Sequence, residues 1–145
     1  MILKNDKQEI KLVIEGYEYP EPELNNFWDY NWLMIYCEEN RDGKIISGRF
    51  ACFTTTELKR LQILLEKFLN KEIECVEWNW TEPNCQILLQ KDYTLEIFFY
   101  SECFPCVDIA FKKKASYKDI KIIIDFCIDS LLKYPVRKVE LNDGI

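Results

Sequence analysis

From Glu9 to Gly16 the chain alternates, with Ile10, Leu12 and Ile14 on one side and Lys11, Val13 and Glu15 on the other. That period of two predicts a strand with one buried face, ended by Gly16. Trp32 to Glu38 alternates in the same way, and Lys44 to Phe53 returns after Asn40-Arg41-Asp42-Gly43, so the two runs predict a hairpin. Thr54 and Glu57 stand at capping-box spacing. Leu58, Leu61, Leu65, Phe68 and Leu69 then recur on one stripe, which predicts a helix over Thr55 to Leu69 with Asn70 as its cap. Four strand-like runs follow, Ile73 to Trp80, Cys85 to Gln90, Tyr93 to Tyr100 and Val107 to Phe111. Ser116 and Asp119 repeat the capping signal, and Ile120, Ile123, Ile124, Cys127 and Leu131 predict a second helix that Tyr134-Pro135 stops.

The order of strands, helix, strands and helix, with short connections, predicts an α+β fold. The expected form is one antiparallel sheet of about six to seven strands with two helices packed on one side. A length of 145 residues suits a single domain spanning 1–145. Between the first two strands, Tyr17 to Asn31 has no period and contains Pro20 and Pro22, which predicts an ordered loop.

Charge narrows the partners. The balance of 19 Lys and Arg against 25 Asp and Glu opposes the phosphate neutralisation that nucleic-acid binding requires, so no nucleic acid is expected and a basic protein fits better. Lys112-Lys113-Lys114 beside a strand end is expected to guard a sheet edge. Met1 to Lys7 breaks into charge before an apolar signal core forms, and Ile120 to Ile128 falls well short of the roughly 20 residues of a membrane span. A cytoplasmic protein without membrane contact is expected. Seven cysteines, among them Cys37, Cys52, Cys75, Cys85 and Cys127 beside apolar neighbours, are expected to be mostly reduced core residues.

The chain has no histidine, which removes imidazole-activated triads and histidine metal sites. Its four glycines match neither a phosphate loop nor a dinucleotide fingerprint. Cys103 and Cys106 have the spacing of a redox dithiol, but strand-like residues flank them where that motif needs a helix N-terminus. A zinc site would need a second close pair of cysteines, so no metal and no cofactor are expected. Asp125 and Asp129, one turn apart on the second helix, are expected to form a solvated face.

The unusual stretch is Gly16 to Trp32, where Tyr17, Tyr19, Phe27, Trp28, Tyr30 and Trp32 stand beside Glu18, Glu21, Glu23 and Asp29. Aromatic rings supply buried area and carboxylates supply steering toward a basic partner. The same rings also suit a plug at the open end of a sheet. Two motifs here, Gly16-Tyr17-Glu18-Tyr19-Pro20 and Trp28-Asp29-Tyr30-Asn31-Trp32-Leu33, and a third that opens the first helix, Thr55-Thr56-Glu57-Leu58, resemble those of the WapI-type immunity proteins of bacteria. The resemblance implies a non-enzymatic protein that binds the C-terminal domain of a cognate polymorphic toxin, a nuclease for instance, and blocks its active site; a monomer or weak homodimer is expected. Glu18, Glu21, Glu23 and Asp29 are the candidate contacts. Gly16, Tyr17, Tyr19, Pro20, Trp28, Asn31 and Trp32 are candidate scaffold. The alternatives are a thiol-dependent enzyme using Cys103 and Cys106, and a structural self-association domain.

Overall fold

A computed structural model describes residues 1–21, 30–79, 85–101 and 106–137. Within them the chain runs β1 (Ile2–Lys4), β2 (Glu9–Tyr17), β3 (Trp32–Arg41), β4 (Lys44–Thr54), α1 (Thr55–Leu69), β5 (Val76–Asn79), β6 (Cys85–Leu89), β7 (Thr94–Ser101), β8 (Val107–Lys114) and α2 (Tyr117–Lys133). The α+β class holds, but the described strands number eight and form two antiparallel sheets, β1-β2-β3-β4 and β5-β6-β7-β8, in place of the single six- to seven-stranded sheet expected. Two causes explain the difference. β1 is three residues long, too short to show a period. β4 runs directly into α1 without a hairpin, so pairing restarts afresh at β5.

Local chemistry accounts for most boundaries. Asp42 and Gly43 turn β3 into β4 with φ of 51° and 82°, the left-handed pair that a two-residue hairpin requires, and Arg41 pairs with Lys44 across it. Both helices begin with a complete capping box, Thr54 with Glu57 and Ser116 with Asp119. The β3–β4 register slips between Leu33 and Met34, and across that slip the successive residues Cys52 and Phe53 both turn inward. Another slip, between Ile14 and Gly16, falls where β2 leaves the core.

Each sheet has one apolar face, and neither hides it alone. Ile10, Leu12, Leu33 and Ile35 from the first sheet share one core with Trp78, Ile87, Ile97, Phe99 and Ile109 from the second. The stripes Leu58, Leu61 and Leu65 of α1 and Ile120, Ile123 and Ile124 of α2 join them. Trp78 sits among these parts. Its ring meets Phe53 edge-on at 5.6 Å, and its indole N–H donates to the Glu57 carbonyl of α1 at 2.9 Å. Four cysteines, Cys37, Cys52, Cys85 and Cys127, are core residues as expected, whereas Cys75 is exposed because it lies in the connection ahead of β5.

The sheets are joined at an edge. Asn5 closes the β1–β2 turn by accepting from the backbone N–H groups of Lys7 and Gln8, which leaves both amide side chains pointing at β8. Gln8 Nε2 donates to the Ala110 carbonyl at 3.0 Å and Asn5 Nδ2 to the Lys112 carbonyl at 2.9 Å. The free edge of β8 is thereby partly occupied. The lysines at its end are each engaged in an ion pair: Lys112 with Glu96, Lys113 with Asp119 and Lys114 with Asp92. Burial alone would raise the Asp119 pKa, yet the Ser116 bonds and the Lys113 ammonium outweigh it and hold that carboxyl below its usual value.

Replacing Trp78 with Ala removes the ring common to both sheets and α1 and leaves the Glu57 carbonyl without this donor. We expect a loss of about 3–5 kcal/mol in urea unfolding, with the two sheets lost in one transition.

Candidate functional site

Tyr17, Tyr19 and Pro20 of the first motif and Tyr30 and Asn31 of the second meet at a residue outside all three, Arg137, and Thr55 of the third joins them through Asn31. Tyr17, at the end of β2, packs edge-on against Tyr134 at 5.6 Å, and its hydroxyl donates to the Pro135 carbonyl at 2.5 Å. The Arg137 guanidinium lies 3.7 Å from the centre of the Tyr17 ring. Burial raises the Tyr17 phenol pKa, and the Arg137 charge opposes that shift. Asn31 is fully buried. Its amide donates to the Arg137 carbonyl at 3.0 Å, while its side-chain oxygen accepts from the Arg137 N–H at 2.8 Å and from the Thr55 hydroxyl at 2.7 Å.

The Arg137 side chain then reaches past Tyr17. Nε donates to the Tyr30 carbonyl at 2.5 Å, one terminal nitrogen to the Pro20 carbonyl at 3.0 Å and the other to the Tyr19 carbonyl at 2.8 Å. A planar donor fork that meets three backbone carbonyls leaves little freedom to the segment it holds. Glu18 N–H donates to the Trp32 carbonyl at 2.9 Å, so the segment is also tied to β3 where it leaves the sheet. The Arg137 bonds cross more than 100 residues of sequence, and no local pattern around Tyr134-Pro135-Val136-Arg137 announces them.

What the clamp presents outward is short and acidic. Glu18 is half-buried, while Tyr19, Pro20 and Glu21 are exposed, the tyrosine by 41%. Two of the four candidate contacts, Glu18 and Glu21, therefore lie together on one held segment. Glu23 and Asp29, with the scaffold candidate Trp28, lie outside the described residues. Tyr17 and Asn31 contact Tyr134, Pro135, Arg137 and Thr55, and the Tyr19 and Pro20 carbonyls accept from the Arg137 fork. Trp32 is half-buried at the head of β3 opposite Thr54, and Gly16 stands at the bulge.

Cys106 is exposed immediately before β8, and Cys103 lies outside the described residues. The flanking elements are β7 and β8, so no helix N-terminus follows Cys106 to stabilise a thiolate. Burial pushes the Cys37 and Cys127 thiols up to about 12. Asp125, paired with Lys121 at 3.8 Å, and Asp129 both face solvent, as expected. Among the described residues no three Cys, Asp or Glu side chains converge as a metal site, and no helix is long and apolar enough to cross a membrane.

Two outcomes follow from this arrangement. Arg137→Lys keeps the charge but loses the fork, so it should destabilise the chain by about 1–3 kcal/mol and speed amide exchange at Tyr19 and Glu21, read by mass spectrometry. Cys37, Cys52, Cys85 and Cys127 should resist a thiol reagent at pH 8 in the folded protein while Cys75 and Cys106 react, as mapped on tryptic peptides.

No curated protein and no solved structure matches the chain. One family model does, that of the immunity protein WapI-like family, over residues 1–130. The match takes in both sheets, all three motifs and all but the last turn of α2, and it stops before Arg137. On that coverage the chain belongs to the WapI-like immunity protein family.

Proposed function

We propose that this immunity protein binds the C-terminal toxic domain of a cognate secreted polymorphic toxin, a nuclease, and covers its active site without performing chemistry of its own. Family membership supplies the class of partner. The observation that carries the surface is the acidic segment from Glu18 to Glu21, held from behind by the Arg137 fork. In this reading Glu18, Glu21, Glu23 and Asp29 are the contacts, and Tyr17, Asn31 and Arg137 keep the backbone in place so that little ordering entropy is lost on binding.

The charge of -6 gives the acidic surface a purpose. A nuclease presents a basic cleft to nucleic acid, and a field of opposite sign speeds encounter with that cleft. Protection of the producing cell places the protein in the cytoplasm, where the toxin acts. It must bind before damage occurs, which calls for nanomolar affinity, near −12 kcal/mol, over an interface of about 1,600 Å². A monomer or weak homodimer meets that need. A thiol enzyme is disfavoured by the strands around Cys106.

The test is co-expression with the toxin domain encoded in the neighbouring reading frame, followed by calorimetry against an inactivated form of that domain. We expect full protection by the wild-type chain and an affinity that falls as salt rises. Reversing Glu18, Glu21, Glu23 and Asp29 to Lys together should weaken binding at least tenfold and flatten the salt dependence. Unchanged affinity removes those four residues from the site, and a toxin left fully lethal by the wild-type chain removes the proposed function.

A further inference from the structure

The outward face of the second sheet is unlike that of the first. On β1 to β4 the outward residues are balanced in charge, with Lys4, Lys11 and Arg49 against Glu9, Glu15 and Glu38, and Lys4 pairs with Glu9 at 3.1 Å and Arg49 with Glu15 at 2.8 Å. On β5 to β8, Glu77, Glu96 and Asp108 face out against Lys112 and Lys114, and these lysines are paired with Glu96 and with Asp92 of the β6–β7 turn, which among the described residues leaves the charges of Glu77 and Asp108 to set the sign. In the middle of that acidic face stand two aromatic rings on β7, Phe98 exposed by 36% and Tyr100 by 38%. Phe98 has Gln86 beside it on β6 and Ala110 on β8. Because alanine is small, the flank of the Phe98 ring stays open.

That opening is a groove of about 490 Å³. Phe98, Ala110 and the Glu96–Lys112 pair form one wall, and the β1–β2 turn from Asn5 to Gln8 forms the other. The bonds from Gln8 and Asn5 to the Ala110 and Lys112 carbonyls hold the walls at a set distance, so the groove exists before any partner arrives. They also engage the β8 edge, which favours side-chain insertion over strand addition. A rigid aromatic anchor, a neighbouring pocket and a charged rim are the parts from which interface hot spots are made. A second copy of this chain is a poor occupant, since Asp108 and Glu77 would meet their own kind.

We propose that the outer face of β5–β8, centred on Phe98 and the groove beside it, is a second docking surface and takes a basic protein. Its identification as the toxin domain rests on the function proposed above. The surface is separate from the Glu18–Glu21 segment, because Gln8 precedes β2 and Glu18 follows it, and at about 3.3 Å per residue the strand's nine residues set the two roughly 30 Å apart. An interface of standard size, spreading over 20–30 residues of one partner, reaches that far. Phe98 fills a pocket between basic side chains of the partner, and Asp108 and Glu77 pair with those side chains.

The experiment measures association and dissociation rates of the inactivated toxin domain from the neighbouring reading frame on the immobilised full chain. Three variants are compared with the wild type: Phe98→Lys, Asp108→Lys and Lys112→Gln. The urea midpoint of each variant confirms its fold, and Asp108→Lys, fully on the surface, stands in if Phe98→Lys does not fold. We expect each of the first two to weaken binding about tenfold or more, and Lys112→Gln to speed association about twofold, a gain that a purely structural role does not produce. Affinities within twofold of wild type for folded Phe98→Lys and Asp108→Lys overturn this surface, and leave toxin binding standing. A wild-type chain that does not bind the domain at all overturns the proposed function, and this surface with it.

Discussion

Two four-stranded sheets, each apolar on one side only, are stable here because they share that side with each other and with two helices. A lone sheet of this size buries too little to offset the entropy of ordering its chain. The sharing constrains everything else. Trp78 bridges the second sheet to α1 and Phe53, and the strand β4 passes straight into α1 through Thr54, so that the first sheet and the helix layer cannot move apart without breaking the capping box. The apolar faces turned inward leave the outward faces free for charge, and on the second sheet that charge is acidic.

The aromatic segment after β2 shows how a buried polar network can serve a surface. Asn31 sits in full burial with three bonds, and each is to a group far away in sequence or on another element. A buried amide left without partners would cost about 1–3 kcal/mol per lost bond, so the network rewards one arrangement of Thr55, Arg137 and the loop over its alternatives. Arg137 adds the fork that fixes Tyr19 and Pro20. The Tyr17 ring is thus committed to structure, and in the proposed reading Glu18 and Glu21 face the partner. An immunity protein needs both properties, because speed of encounter depends on charge and tightness on preorganisation.

The two acidic surfaces flank opposite ends of β2. Both combine carboxylates with an exposed ring, Tyr19 on one and Phe98 on the other, and both are braced by side-chain bonds to backbone carbonyls. The three lysines at the end of β8 are already drawn into pairs with Glu96, Asp119 and Asp92. The surface pairs of Lys112 and Lys114 contribute little stability, but they cancel charge locally and leave Asp108 and Glu77 to set the sign of the face.

The elements other than the three-residue β1 were legible in the amino-acid sequence. Alternation placed β2, β3 and β4, helical spacing and two capping boxes placed α1 and α2 within a residue or two, and Asp42-Gly43 marked the hairpin, because each of these signals arises between residues a few positions apart. Charge and the absence of histidine bounded the chemistry, and the three motifs pointed to the family. The split into two sheets was not legible, since pairing partners are chosen by which apolar faces meet and not by the period within a strand. Nor was Arg137, whose bonds to Tyr19, Pro20, Tyr30 and Asn31 span more than 100 residues, or the meeting of Asn5 and Gln8 with β8. Only the folded chain brings such groups together, because a side chain's hydrogen-bonding capacity says that it needs a partner when buried and leaves open which one.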